Sequence, residues 1–96
     1  MPPSHLEATR EAVFAAGAGR IGGYSRCSWS TLGQGTFHGG DATRPVVGEA
    51  GRDETATEYR VETVVPEDKL AAVVDALRRA HPYEEPAYDV YPRVDA

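Results

Sequence analysis

The chain's ten glycines all fall between positions 17 and 51 of its 96 residues, and neither flank holds any. This uneven distribution constrains the fold more than any other feature. It divides the chain into a head able to form a helix, a middle able to reverse direction, and a tail of ordinary side chains. Within the middle, Gly17, Gly19 and Gly22 in "GAGRIGGY" match the spacing G-x-G-x-x-G. That spacing cradles a pyrophosphate only where a strand precedes the glycines and a helix opens after them.

The order here is reversed. Residues 4–16 carry Leu6, Val13 and Phe14 on one side of a 3.6-residue period, with small Ala12 and Ala16 beside them. Ser4 and Glu7 have the spacing of a capping box, and Pro3 precedes them. Gly17 then stands where a helix ends in a left-handed turn. Phosphate would meet the carbonyl end of that helix dipole, which repels it. The glycines are therefore read as a chain reversal and not as a dinucleotide loop.

After the glycines, "YSRCSWST" (residues 24–31) alternates as a strand. "LGQGTF" reads as a glycine turn followed by a return strand through Thr36 and Phe37, giving a hairpin. Residues 38–54 are polar and rich in turn formers, so they read as a loop. "EYRVETVVP" alternates Tyr59, Val61, Thr63 and Val65 against Glu58, Arg60 and Glu62, and ends at Pro66. Leu70, Val73, Val74 and Leu77 then follow i, i+3, i+4, i+7 and predict a helix over residues 67–80. Glu67 and Asp68 in its first turn and Arg78 and Arg79 in its last suit the dipole. Pro82 stops it, and "AYDVY" (residues 87–91) reads as a last short strand. The order α-β-β-α-β predicts one α+β domain spanning residues 1–96, with both helices on one sheet face.

A net charge of −5 argues against surfaces for nucleic acid or anionic membrane. A single cysteine, Cys27, permits neither an internal disulfide nor a cysteine zinc site. No apolar run approaches membrane-spanning length, and "MPPSHLEATR" lacks a signal-peptide core. A cytoplasmic location is the expectation.

"AGAGRIGGYSRCSWSTLGQGTF" together with "HPYEEPAYDV" closely resembles the small domain of the Ngg-one-interacting-factor-three-like family, over residues 3–90. The resemblance implies a ferredoxin-like βαββαβ sandwich of the PII/CutA type and a homo-oligomer, by family habit a trimer. It does not imply hydrolase or cyclohydrolase activity, because the family's dinuclear-metal motifs lie outside this domain. The first strand of that fold is apparently missing here, where the chain opens Met1-Pro2-Pro3-Ser4. The expectation is that an upstream start or a partner chain supplies it, since unpaired buried backbone groups cost about 1–3 kcal/mol each.

Two stretches offer chemistry. His81 and Glu85 in "HPYEEP" stand four apart, and imidazole with carboxylate can bind a divalent metal, although Pro82 frees them from sharing a helical face. The bland alternative is a helix-end turn with Tyr83 packed and the carboxylates solvated. His38 and Asp41 form a weaker pair in the loop, and His5 is expected exposed. In the glycine-rich stretch, backbone amides could hold an anion and Trp29 could stack on a ring. Against this, Trp29 equally suits core or interface packing, and Cys27 a buried apolar role. The ligand-contacting candidates are Arg20, Tyr24, Cys27, Trp29, His81, Tyr83 and Glu84. The cofactor is unknown, a divalent metal being one option. The leading functional expectation is a non-catalytic small-molecule or metal-responsive module, with its site built by "GRIGGYSRCSW" and "HPYEEP", across subunits if need be. The alternative is a ligand-free oligomerisation or protein-interaction domain.

Overall fold

The computed structural model describes residues 1–40, 50–83 and 85–94. Two helices, α1 (Leu6–Ala16) and α2 (Leu70–Ala80), flank two strands, β1 (Ser28–His38) and β2 (Asp53–Thr63). The architecture is a small α+β unit. The strands form a two-stranded antiparallel sheet in unbroken register from Ser28↔Thr63 to His38↔Asp53.

Helix α1 ends as its sequence predicts. Gly17 adopts φ +123°, its N–H donates to the Phe14 carbonyl (3.1 Å), and the Ala18 N–H donates to the Val13 carbonyl (3.0 Å). These two bonds satisfy carbonyls that the end of the helix would otherwise orphan. The helix start is different. Residues Pro3–His5 form a 3-10 turn, so the backbone amide of His5 is bonded to the Pro2 carbonyl (3.1 Å). The Ser4 hydroxyl pairs with His5 Nδ1 (2.9 Å) and the Glu7 carboxylate takes Arg10 (2.9 Å). The capping box is not made, because the turn's own backbone bonds already serve the amides.

A second 3-10 turn, Glu67–Lys69, precedes α2 and follows Pro66. Pro82 follows the last helical turn, where His81 is extended and its amide bonds the Leu77 carbonyl (2.8 Å).

The expected glycine turn in "LGQGTF" does not form. Gly33 and Gly35 lie inside β1, opposite Glu58 and Ala56, and neither takes a positive φ. A side chain on Gly35 would collide with the Glu58 carboxylate, which lies across it. Glycine here makes room for a neighbour and does not bend the chain. Residues 24–27 precede the strand. Ile21 and Tyr24 exchange both backbone hydrogen bonds (3.0 and 2.9 Å), closing a tight turn over the two glycines between them.

Residues 87–91, expected as a strand, are not one. Alternation makes a segment fit for a ladder, but the ladder needs a neighbour, and among the described residues none lies alongside. The two helices pack against each other. Buried apolar residues are Val13, Phe14, Ala18 and Val73, with Ala16, Val65 and Leu77 packed around them. Of the stripe Leu70, Val73, Val74 and Leu77, only Val73 is buried.

Candidate functional site

The two sequence-predicted stretches lie at opposite ends of the helix pair. The Lys69 side chain, at the start of α2, sits against Gly17, at the end of α1. His81, at the end of α2, feels the Met1 ammonium and His5, at the start of α1. The helices are therefore antiparallel, and an 11-residue helix separates its ends by about 16 Å. One copy cannot bring the two stretches into one pocket.

At the first end, Gly19 organises the chain. Its N–H donates to the Val64 carbonyl (2.7 Å), and its carbonyl accepts from the Cys27 N–H (2.8 Å). Its φ of +85° and the Phe14 ring 2.9 Å from a would-be Cβ admit only glycine without strain. Arg26, with φ +59°, reaches back to grip the Glu11 carboxylate with both terminal nitrogens. That bond holds the Glu11 carboxyl below its ordinary range and the Arg26 guanidinium above its own. The guanidinium groups of Arg26 and Arg10 lie 5.1 and 5.7 Å from the Phe14 ring centroid, within cation–π range. A shallow groove of about 260 Å³ runs here, lined among others by Phe14, Ala18, Arg20 and Ser25. Arg20 and Tyr24 are exposed; Cys27 is half-buried, with its thiol 3.8 Å from the Ser25 carbonyl. Trp29 is 57% exposed on the sheet and is no part of the core.

At the other end, "HPYEEP" folds its first residues inward. His81 Nδ1 accepts the Tyr83 backbone N–H (3.2 Å), and the two rings lie 4.9 Å apart, tilted by 58°. Accepting at Nδ1 leaves the proton of the neutral ring on Nε2. Burial lowers the His81 pKa, the Met1 ammonium and His5 push the same way, and Glu58 opposes them. Burial also pushes the Tyr83 phenol up to about 12, with Glu58 adding to the shift. The buried Tyr83 hydroxyl has no hydrogen-bond partner of good geometry, so desolvation dominates there. Glu58 also lies 3.5 Å from the Met1 ammonium.

This cluster of His81, Tyr83, Glu58 and Met1 is the most developed polar site of the described residues. A metal on His81 would have to displace either the Tyr83 N–H from Nδ1 or the proton from Nε2. Glu85 is exposed, and among the described residues no three His, Cys, Asp or Glu side chains converge. Glu84 and Asp41 lie outside the described residues; His38 pairs instead with Asp53 opposite it (2.8 Å). His5 is half-buried and not exposed as expected. Sequence reasoning missed Glu58, which reads as one member of a solvated strand face. It missed Met1 because nothing local marks a terminus as a partner.

A protein from Bacillus cereus described as related to NIF3 superposes with a TM-score of 0.80 at 44% identity, covering 99% of this chain and 24% of that one. The chain resembles one segment of a NIF3-related protein. The GTP cyclohydrolase 1 type 2 homolog of Mycobacterium leprae is 52% identical over 91 residues, covering 95% of this chain and 24% of that protein. The Bacillus subtilis protein of the same name is 46% identical over 92 residues, covering 96% and 25%. The chain thus spans about a quarter of the length of the curated relatives it matches. No family model matches it. Among the described residues no helix is long and apolar enough to cross a membrane.

Proposed function

We propose that this chain is a non-catalytic accessory domain that works by association with further protein surface, most simply other copies of itself. The observation that carries this is surface. The chain exposes 7024 Å², against about 5,400 Å² for a compact monomer of 10.3 kDa. Its radius of gyration is 14.8 Å, where about 12.5 Å suits this length. Among the described residues four buried apolar side chains are a thin core, and Trp29, Leu32, Tyr88, Val90 and Tyr91 all stand exposed. Light scattering over a range of concentrations tests the reading, and a monomer throughout overturns it. The cyclohydrolase name belongs to proteins of which this chain spans only a quarter, so the reading is that the chain turns over no GTP on its own; measurable turnover would refute that part. A cytoplasmic setting fits the lone, unpaired Cys27.

A second reading, a ligand-responsive module of the PII/CutA-like kind, is favoured by one observation. His81, Tyr83 and Glu58 gather neutral and charged groups beside a buried hydroxyl with no partner. A thermal-shift panel of divalent metals and small metabolites would show stabilisation if any of them binds the native state. His81→Ala should abolish that response, and an unchanged response would make the turn purely structural.

A further inference from the structure

Residues 20–25 are fastened at their two ends. Before them, Gly19 donates to the Val64 carbonyl and accepts from the Cys27 N–H. After them, Cys27 is held a second time, its carbonyl accepting from the Thr63 hydroxyl (2.7 Å). Between these anchors the backbone bonds only to itself among the described residues, Ile21 with Tyr24. All six residues are exposed.

Residue 26 draws this segment against α1. Among the described residues Arg26 is the only one other than glycine with a positive φ, a conformation that side chains resist. Such a residue persists only where its surroundings over-determine it. Here its guanidinium meets the Glu11 carboxylate with both terminal nitrogens and lies over the Phe14 ring. The side chains of that pair are 53% and 54% exposed, so water and salt weaken the tie. Arg20, Ser25 and Arg26 line the shallow groove together with Phe14, Ala15 and Ala18, and of these Phe14 and Ala18 are buried.

We propose that residues 20–25 are a strap latched over the Phe14 and Ala18 end of the core by the Arg26–Glu11 pair, and that loss of this one pair opens the strap while both helices stay folded. An open strap makes the apolar floor of the groove reachable from solvent. Cys27 reports the change. It is the chain's only cysteine, half-buried, with its thiol 3.8 Å from the carbonyl of Ser25 in the strap. Arg20, inside the strap, gives a second readout, because a protease cuts where the backbone is loose enough to enter its site.

The test uses the 96-residue chain, following iodoacetamide labelling of Cys27 and tryptic cleavage after Arg20. Glu11→Gln and Arg26→Gln each remove the latch. Both should speed labelling and cleavage by about two- to fivefold, the scale of one exposed ion pair. Helix content by circular dichroism should hold. A direct electrostatic effect on the thiol cannot imitate this result. Removing Glu11 favours the thiolate and removing Arg26 disfavours it, so labelling would then move in opposite directions in the two variants. Combining Glu11→Arg with Arg26→Glu rebuilds the pair with its charges exchanged and should return both rates toward those of the parent chain. Anything other than a rise in both single variants overturns the latch. Rates that stay high in the charge-exchanged chain show that another contact closes the strap, and overturn it too. Faster rates accompanied by loss of helix content make the pair a support of the whole domain and overturn the strap as a separate moving part.

Discussion

Gly19 shows how a single atom's absence can hold this chain together. Adding a Cβ would push against Phe14, which belongs to the core, at a φ that L side chains resist. Left-handed strain of about 1–2 kcal/mol plus crowding of about 1–3 kcal/mol leads us to expect Gly19→Ala to cost on the order of 2–5 kcal/mol. Gly23→Ala has nothing within 4 Å and an ordinary φ, so it should change stability by no more than about 0.5 kcal/mol. Chemical denaturation of the two variants would check the contrast. At His81 the folded pKa lies below the ordinary value, so the unfolded chain binds the proton more readily. Its stabilisation is complete above a pH of about 6.5 and is lost as the pH falls below it. Melting temperature should therefore drop between pH 7.5 and 5, and His81→Gln should flatten part of that drop. Tyr83 offers the opposite window. Its phenol is held up to about 12, so stability falls as the pH rises from about 10. In an alkaline absorbance titration, one of the five tyrosines should ionise late, and Tyr83→Phe should remove that late step.

Elements show where local pattern sufficed and where it misled. The end of α1 was legible because Gly17 acts on bonds within four residues. The start was misread because Ser4 and Glu7 have the right spacing, but a 3-10 turn reached the amides first. Ser4→Ala is accordingly expected to shift stability by less than about 0.5 kcal/mol, where a working cap would cost about 1 kcal/mol. Thermal melts of the pair decide between them. Phe14 is the reverse case, a residue whose helical spacing correctly marked it as core. Phe14→Ala should cost about 3–5 kcal/mol, much of what a chain this size has to lose. In β1, Gly33 and Gly35 were misread as a turn. Glycine signals both a bend and a close approach, and only the Glu58 side chain lying over Gly35 tells which. Gly35→Val should displace that carboxylate from the Met1 and Tyr83 end, so the late tyrosine should ionise earlier in the same titration.

For the whole molecule, what the residues determined alone is what depends on neighbours along the chain. That includes both helices and their stops, the rejection of a dinucleotide loop, and the β2 strand. The energies involved, carbonyl capping and the burial of one helical stripe, act over a few residues and leave a readable period. Tertiary structure decided the rest. It set β1 as one long strand, packed the helices on each other, and recruited Glu58 and Met1 to the histidine. Among the described residues it also left residues 87–91 without a ladder. Strand pairing and burial are joint properties of distant segments, so an alternating pattern states only that a segment is able to pair. Whether it does depends on what lies beside it, as Met1 lies beside Tyr59 of β2.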